Sequence, residues 1–352
     1  MLAGNIFTLQ NGLHICIDWL SWTVMESASV GDVIEMLGYS MADFQQLPVG
    51  LNGYRSQLRH NVYPVSVQFD GNPGMGIHVD VSGSAMSDVL AHFHSSRMGV
   101  TPFGGSAYST DSFDSTVLCD LLSKVTAIGH VTRMDLAIDD VGARFYTLEG
   151  LHDVLQAGCY VSKFRNWKEL VKHGNRQIKG HTIYLGSRSS DIMLRVYDKQ
   201  LEQSEKALAN GTSPVFSPWV RWELELKKER ASQAVSLLLA GVPVASVAVG
   251  ILSNYLRIVE NDNSRIDRCT VSSVWLAFID GIAKLKLYRP QPVKTLDNTK
   301  NWLSRQVAPS LASVVLCEGG SVDYLYRLIE AGATRLKKYH VEMVRSEMGC
   351  TA

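Results

Sequence analysis

From His181 to Gln203 the chain reads HTIYLGSRSSDIMLRVYDKQLEQ, and a tyrosine in it stands where a nucleophile could be made. Thr182 to Gly186 is rich in β-branched and aromatic residues, Ser187 to Asp191 is a polar turn, and Ile192 to Lys199 resumes a period of two. That pattern predicts a β-hairpin running into a helix. Strand side chains alternate between faces, which sends Ile192, Leu194 and Val196 one way and Met193, Arg195, Tyr197 and Lys199 the other. The Tyr197 phenol then lies between two cations. Positive neighbours favour the phenolate, lower its pKa and help it attack an electrophile. A half-exposed strand with ordinary surface Arg and Lys around a packed Tyr has the same pattern, and this stretch alone favours that plainer reading. Tyr184 ranks second as nucleophile, because Thr182 shares its face and no cation does.

A second chemical signal is HVTRMDLAIDD, His130 to Asp140. Read as a strand, it places Met134, Leu136 and Ile138 in a core and lines the other face with Arg133, Asp135, Ala137 and Asp139. Two carboxylates four residues apart, with an alanine between them, leave room for a cation, and hard oxygen ligands suit Mg²⁺ or Mn²⁺. Solvent-facing strands often carry acids as well. WVRWELELKKER, Trp219 to Arg230, alternates in the same way: Val220, Trp222, Leu224 and Leu226 inward, Arg221, Glu223, Glu225 and Lys227 outward. If the three strands are neighbours with these faces aligned, a carboxylate-bound metal sits beside a tyrosine.

The elements that would position these residues follow from the rest of the pattern. Ile15 to Val24 reads as a strand with Trp19 and Trp22 on opposite faces, and Pro64 to Phe69 with Gly76 to Ser82 as an antiparallel hairpin. Ser84 to Arg97, Asp114 to Ile128 and Thr147 to Ala157 have helical spacing. Gly158 to Gly180 reads as a basic connection, and Lys199 to Ala209 as a helix ended by Asn210-Gly211. Beyond Ala231 the spacing is helical throughout, over Gln233 to Leu239, Val244 to Val259, Val271 to Leu287, Lys294 to Ala308 and Ser321 to Arg345. The fold class is α+β, with a boundary near 231 between domains 1–230 and 231–352.

His92-Phe93-His94 resembles a two-histidine metal motif, but its setting, SDVLAHFHSSR, is helical, and both histidines read as ordinary helix residues. His78, on a strand, is a weaker alternative ligand. The six cysteines are scattered with no C-x-x-C pair, which points neither to zinc nor to a disulfide framework. No apolar run reaches the length of a membrane span and residues 1 to 30 lack a signal-peptide succession, so a cytoplasmic location is expected. Net charge is zero but unevenly laid out: residues 1–140 hold 5 Lys+Arg against 14 Asp+Glu, 163–206 hold 10 against 5, and 282–352 hold 11 against 6. The middle and the C-terminal end are therefore the parts expected to meet a polyanion. Helices carrying solvated Lys and Arg would give a similar count.

Taken in order, IDWLSWT, HVDVSG at 78–83, RMDLAIDD at 133–140, TIYLGSRSSDIMLRVYDKQLEQ at 182–203 and VRWELELK at 220–227 resemble the replication initiation proteins of rolling-circle plasmids and filamentous phages, the Rep_trans type. NWLSRQVAPSLA at 301–312 looks like the helical tail of the phage members. The resemblance implies an antiparallel-sheet nicking and joining domain with flanking helices, followed by a helical region for DNA binding, dimerisation or both. It implies a site-specific strand transferase in which Tyr197 attacks a phosphodiester at the origin, leaving a 5′-phosphotyrosyl adduct and a 3′-hydroxyl for polymerase. Arg195 and Lys199 would hold phosphate oxygens or support the phenolate. Asp135, Asp139 and Glu223 or Glu225 would hold Mg²⁺ or Mn²⁺. Arg133, Lys163, Arg165, Lys179, Arg188, Arg335, Lys337 and Lys338 would contact DNA. The implied partners are double-stranded origin DNA with a single-stranded or cruciform nick site, the helicase and polymerase of a bacterial host, and a second copy of the chain. A non-catalytic origin-binding regulator and a metal-dependent hydrolytic nuclease are the alternatives. The absence of a G-x-x-x-x-G-K-[ST] loop argues against an NTP-driven helicase.

Overall fold

The computed structural model describes residues 7–25, 28–98, 115–174, 177–287 and 296–347. It has two compact units, Met1–Arg289 and Pro290–Ala352. The first is built on an eleven-stranded sheet in which every pairing is antiparallel. In chain order the strands of this unit are β1 Phe7–Thr8, β2 His14–Val24, β3 Phe44–Leu47, β4 Ser56–His60, β5 Val65–Phe69, β6 Ile77–Ser82, β7 Gly129–Val141, β8 Tyr160–Ser162, β9 Trp167–Gly174, β10 Gln177–Leu185, β11 Ile192–Asp198, β12 Trp219–Lys227 and β13 Leu256–Ile258. The sheet runs β3-β4-β5-β6-β2-β7-β12-β11-β10-β9, with β1 paired to β2, while β8 and β13 form a small sheet of their own. The fold class is α+β.

One face of the sheet is the core. Met134, Leu136 and Ile138 of β7 and Trp222 and Leu224 of β12 are fully buried on it, as period-two alternation requires. Helices α1 Val30–Met36, α2 Ala85–Met98, α3 Ser115–Ile128, α4 Leu148–Gln156, α5 Lys199–Ala209, α6 Glu229–Leu239, α7 Val244–Tyr255 and α8 Ser273–Ile279 complete the unit, and α2, α3, α6 and α7 pack on the central strands. Trp275 and Phe278 of α8 stack against Trp222 of β12, with ring centroids 6.1 and 5.0 Å from it. The change from strands to helices near 231 therefore falls inside this unit. Helices after that point bury Ala234, Leu238, Val247, Ile251, Trp275 and Phe278 in the same core as the strands.

Several boundaries depart from the spacing. Gly158 to Gly180 is no connection: β9 lies within it and pairs with β10. The helix expected over Val244 to Val259 stops at Tyr255, and Leu256–Ile258 is a strand. The one expected over Val271 to Leu287 spans only Ser273–Ile279, because Asp280 at φ 50 and Gly281 at φ 71 turn left-handed behind it. In the second unit, Leu296–Trp302 and Ala308–Cys317 are helices joined by a π-turn, followed by Asp323–Ala333 and Lys338–Glu347. His92-Phe93-His94 does lie on a helix, α2.

Candidate active site

Register decides which polar residues meet. On the face opposite the core, Glu225 of β12 stands across from Asp135 of β7 and Met193 of β11, and Glu223 across from Ala137 and Arg195. Arg221 is across from Asp139 and Tyr197. On the far side of β11, Thr182 pairs with Tyr197 and Tyr184 with Arg195. The three predicted strands are consecutive neighbours with their chemical faces aligned.

Tyr197, Arg195 and Lys199 line a cleft of about 420 Å³, together with Tyr184, Asp18 and Trp19. The hydroxyl of Tyr197 accepts a hydrogen bond from Lys199 Nζ at 3.3 Å. The guanidinium carbon of Arg195 lies 5.4 Å from the phenol ring centroid. Both cations are already matched, Arg195 by Glu223 and Lys199 by Glu202 at 2.8 Å. As a result the phenol is not activated as its flanking cations suggest. Burial raises the Tyr197 pKa well above its ordinary value, Glu223 adds to the rise, and the Arg221 guanidinium opposes it. At rest Tyr197 is a neutral phenol. Tyr184 is not free of cations either, since Lys168 and Arg188 stand 5.4 and 6.0 Å from its ring.

The acids are buried, not solvent-facing: Asp135, Asp139 and Glu223 are no more than 1% exposed. They fall into two groups. In one, the Arg133 guanidinium forks onto Asp135 at 2.9 and 2.6 Å, reaches Glu225 at 2.9 Å and stacks 4.2 Å from the Trp19 ring. Burial pushes Asp135 up to about 8; Arg133 pulls it down, while Glu223 and Glu225 add to the rise. In the other, Asp139 accepts from Arg221 Nε and Nη2, both at 2.7 Å, and from Trp219 Nε1 at 2.8 Å. Arg221 also pairs with Asp18. Asp139 is thus locked in a structural fork and does not join Asp135, contrary to the expectation for the D-x-x-x-D spacing.

Nothing in the sequence pattern marks Arg221, Asp18 or Trp19 as residues of the site. Ile15 and Ile17 face the core, and so do Leu20 and Trp22, so the alternation changes phase between them. The register of β2 against β7 shifts at that point, between Ile17 and Trp19. The resulting bulge turns two successive residues, Asp18 and Trp19, toward the cleft.

Among the described residues, no three His, Cys, Asp or Glu side chains converge as a metal-ready group. In chemistry, however, Asp135, Glu223 and Glu225 fit a hard divalent cation. They are all oxygen donors, burial raises Asp135 with Glu223 and Glu225 adding to the rise, and the buried Oε2 of Glu223 has no hydrogen-bond partner. Asp139 is an oxygen donor as well, held by Arg221 as Asp135 is held by Arg133. His78 is held through Nδ1, 3.0 Å from Thr23 Oγ1.

Of the residues expected to contact DNA, Arg133 is engaged by the acids. Lys163, Arg165 and Arg188 are exposed, and Lys179 is half-buried on β10. Arg335 and Lys337 are exposed in the second unit, and the side chain of Lys338 lies outside the described residues.

The cleft thus presents Tyr197 with Arg195 and Lys199, and Arg195 pairs with the buried Glu223 behind it. The Rep_trans family, replication initiation factor, matches residues 129–329. The chain belongs to that family. It is 34% identical over 190 residues to a putative DNA relaxase NicK of Bacillus subtilis, a match covering 53% of each protein, so the chain spans about half the length of that relative. Its fold is that of a rolling circle replication initiator protein from Geobacillus stearothermophilus, with a TM-score of 0.61 and 23% identity over 79% of this chain and all of the other. The family match begins at β7 and takes in the acids, the tyrosine hairpin and β12. The cleft wall made by Asp18, Trp19 and Ser82 lies outside it.

Proposed function

We propose that the chain initiates rolling-circle DNA replication by nicking and rejoining one strand at an origin through Tyr197. The observation that carries this reading is the single cleft in which Tyr197 meets Lys199 and Arg195 beside the buried acids. The Tyr197 oxygen attacks the scissile phosphorus, the bond to the 3′ oxygen breaks, and the phenol proton is lost. A 5′-phosphotyrosyl ester and a 3′-hydroxyl result. The ester conserves the energy of the broken bond, so reversal by the 3′-hydroxyl rejoins the strand without a nucleotide cofactor.

Substrate binding changes the balance around Tyr197. A phosphodiester entering the cleft offers Arg195 and Lys199 a new anion, and Lys199, within reach of the phenol oxygen, favours the phenolate as the proton departs. Asp135, Glu223 and Glu225 would hold Mg²⁺ or Mn²⁺, which when bound would polarise the scissile phosphate. The partners in this reading are double-stranded origin DNA with a single-stranded or cruciform nick site, the host helicase and polymerase, and a second copy of the chain. The setting is the bacterial cytoplasm. Among the described residues no helix is long and apolar enough to cross a membrane.

The test is incubation with supercoiled DNA carrying the origin, in Mg²⁺ or Mn²⁺, followed by denaturation in SDS and peptide mass analysis. An adduct on Tyr197, absent in Tyr197→Phe and with chelator, is the expected result. Nicking without an adduct would point to a hydrolytic nuclease, and binding without nicking to an origin-binding regulator.

A further inference from the structure

The turn of the tyrosine hairpin has a second hollow on its other side. A basin of about 710 Å³ opens there, with Lys163, Arg165, Lys228 and Arg230 on its walls beside Tyr255. Lys163 Nζ donates to Asn254 Oδ1 at 2.5 Å and stands 5.6 Å from the Tyr255 ring. Its ammonium is held below the usual lysine range by burial and by the charges of Lys286, Lys284 and Arg230, and Arg230 donates to the Leu287 carbonyl. The carboxylate in the basin wall, Asp191, is taken by Lys228 at 3.1 Å.

The basin and the cleft adjoin. Tyr184 of β10 lines the cleft, and Gly186, which turns the chain just past the end of that strand at φ 92, lines the basin. Arg188, at the tip of the turn between them, lies over Tyr184. Positive charge therefore runs from the cleft across the hairpin tip and into the basin. The hydroxyls of Ser187, Ser189 and Ser190 add neutral donors to the wall.

We propose that this basin is a second anchoring site for single-stranded DNA, holding phosphodiester backbone and an unstacked nucleotide of the strand whose scissile bond lies in the cleft. This rests on the reading of the cleft given above and extends it. Clustered ammonium and guanidinium groups select a polyanion, and a hollow of nucleotide size with a tyrosine in its wall suits a single strand better than a duplex. The consequence concerns rejoining. After cleavage one product is held by its bond to Tyr197; an anchor next to the cleft holds DNA without such a bond, so the two ends stay together.

The test is the salt dependence of binding of a fluorescent 20-nucleotide single strand to the full chain, followed by anisotropy in chelator so that no cleavage occurs. Each lost phosphate contact lowers the slope of log affinity against log salt by about 0.7. Lys163→Ala/Arg165→Ala should therefore lower the slope by about 1.4, while Arg55→Ala/Arg59→Ala, with the same loss of charge far along the chain, should match wild type. Arg165→Ala alone, expected to lower the slope by about 0.7, serves if the double variant does not fold. An unchanged slope, an equal drop in the control, or a drop seen only with blunt duplex would overturn the proposal. Adduct formation at Tyr197 is read separately. A wild-type chain with no adduct but a basin-dependent slope would sink the nicking reading and leave the anchor standing.

Discussion

At Asp135, burial, reinforced by the charges of Glu223 and Glu225, raises the carboxyl to about 8 against an ordinary 3.8, and the Arg133 fork does not cancel it. The folded chain thus binds this proton more tightly than the unfolded chain does. The stability it contributes is fully present below about 3.8 and is lost as pH rises through about 8. Thermal melts are expected to show a midpoint that falls between about pH 4 and 8 and is flat above that, with Asp135→Asn flattening the fall. Mg²⁺ should raise the wild-type midpoint more at the upper end of this range, because a cation and a proton compete for the same oxygens. A variant whose profile runs parallel to wild type would show that some other group titrates there.

Arg221 acts between elements. From the centre of β12 it reaches Asp139 on β7 and Asp18 on β2, and its Nη2 lies 3.8 Å from Cys16 Sγ. Replacing it with Met leaves Asp139 buried without its cation, a loss of about 3–5 kcal/mol, and urea denaturation measures it. If Arg221→Met unfolds at the wild-type midpoint, the fork is dispensable. The strands that carry the candidate site residues were legible because each pairs an apolar face with a more polar one over the stretches that matter: Met134 to Asp139 of β7, Leu194 to Tyr197 of β11 and Val220 to Lys227 of β12. β9 was not legible. It is the edge strand and lies beyond the core, so Trp167, Glu169 and Val171 on one side and Lys168, Leu170 and Lys172 on the other give no apolar face to read. β13 was hidden for a different reason: it continues the apolar run of α7 without a break, and its partner β8 lies far upstream. The paired carboxylates were found by spacing, but spacing could not show that Arg221 would claim Asp139. That depended on a residue 82 positions further along the chain.

For the whole molecule, the division at Arg289/Pro290 sets what can be removed. A chain ending at Arg289 keeps α6, α7 and α8 on the sheet and is expected to melt cooperatively. One ending at Arg230 strips Leu238, Ile251, Trp275 and Phe278 from the core and should be recovered insoluble or without a melting transition. Equal behaviour of the two in calorimetry would place the boundary near 231 instead. The same architecture also sets a timetable for synthesis. β2 is made early, yet in the finished sheet it lies between β6 and β7, and its Asp18 pairs with Arg221, 203 residues later. Contacts so distant in sequence form slowly, since the long intervening loop must close before they repay its entropy. The tyrosine hairpin emerges from the ribosome before β12, the strand that pairs with its second arm. On the reading proposed above, a chain halted between the two would carry Tyr197 without Arg221, Glu223 or Glu225, and an interrupted copy would lack the means of cutting DNA.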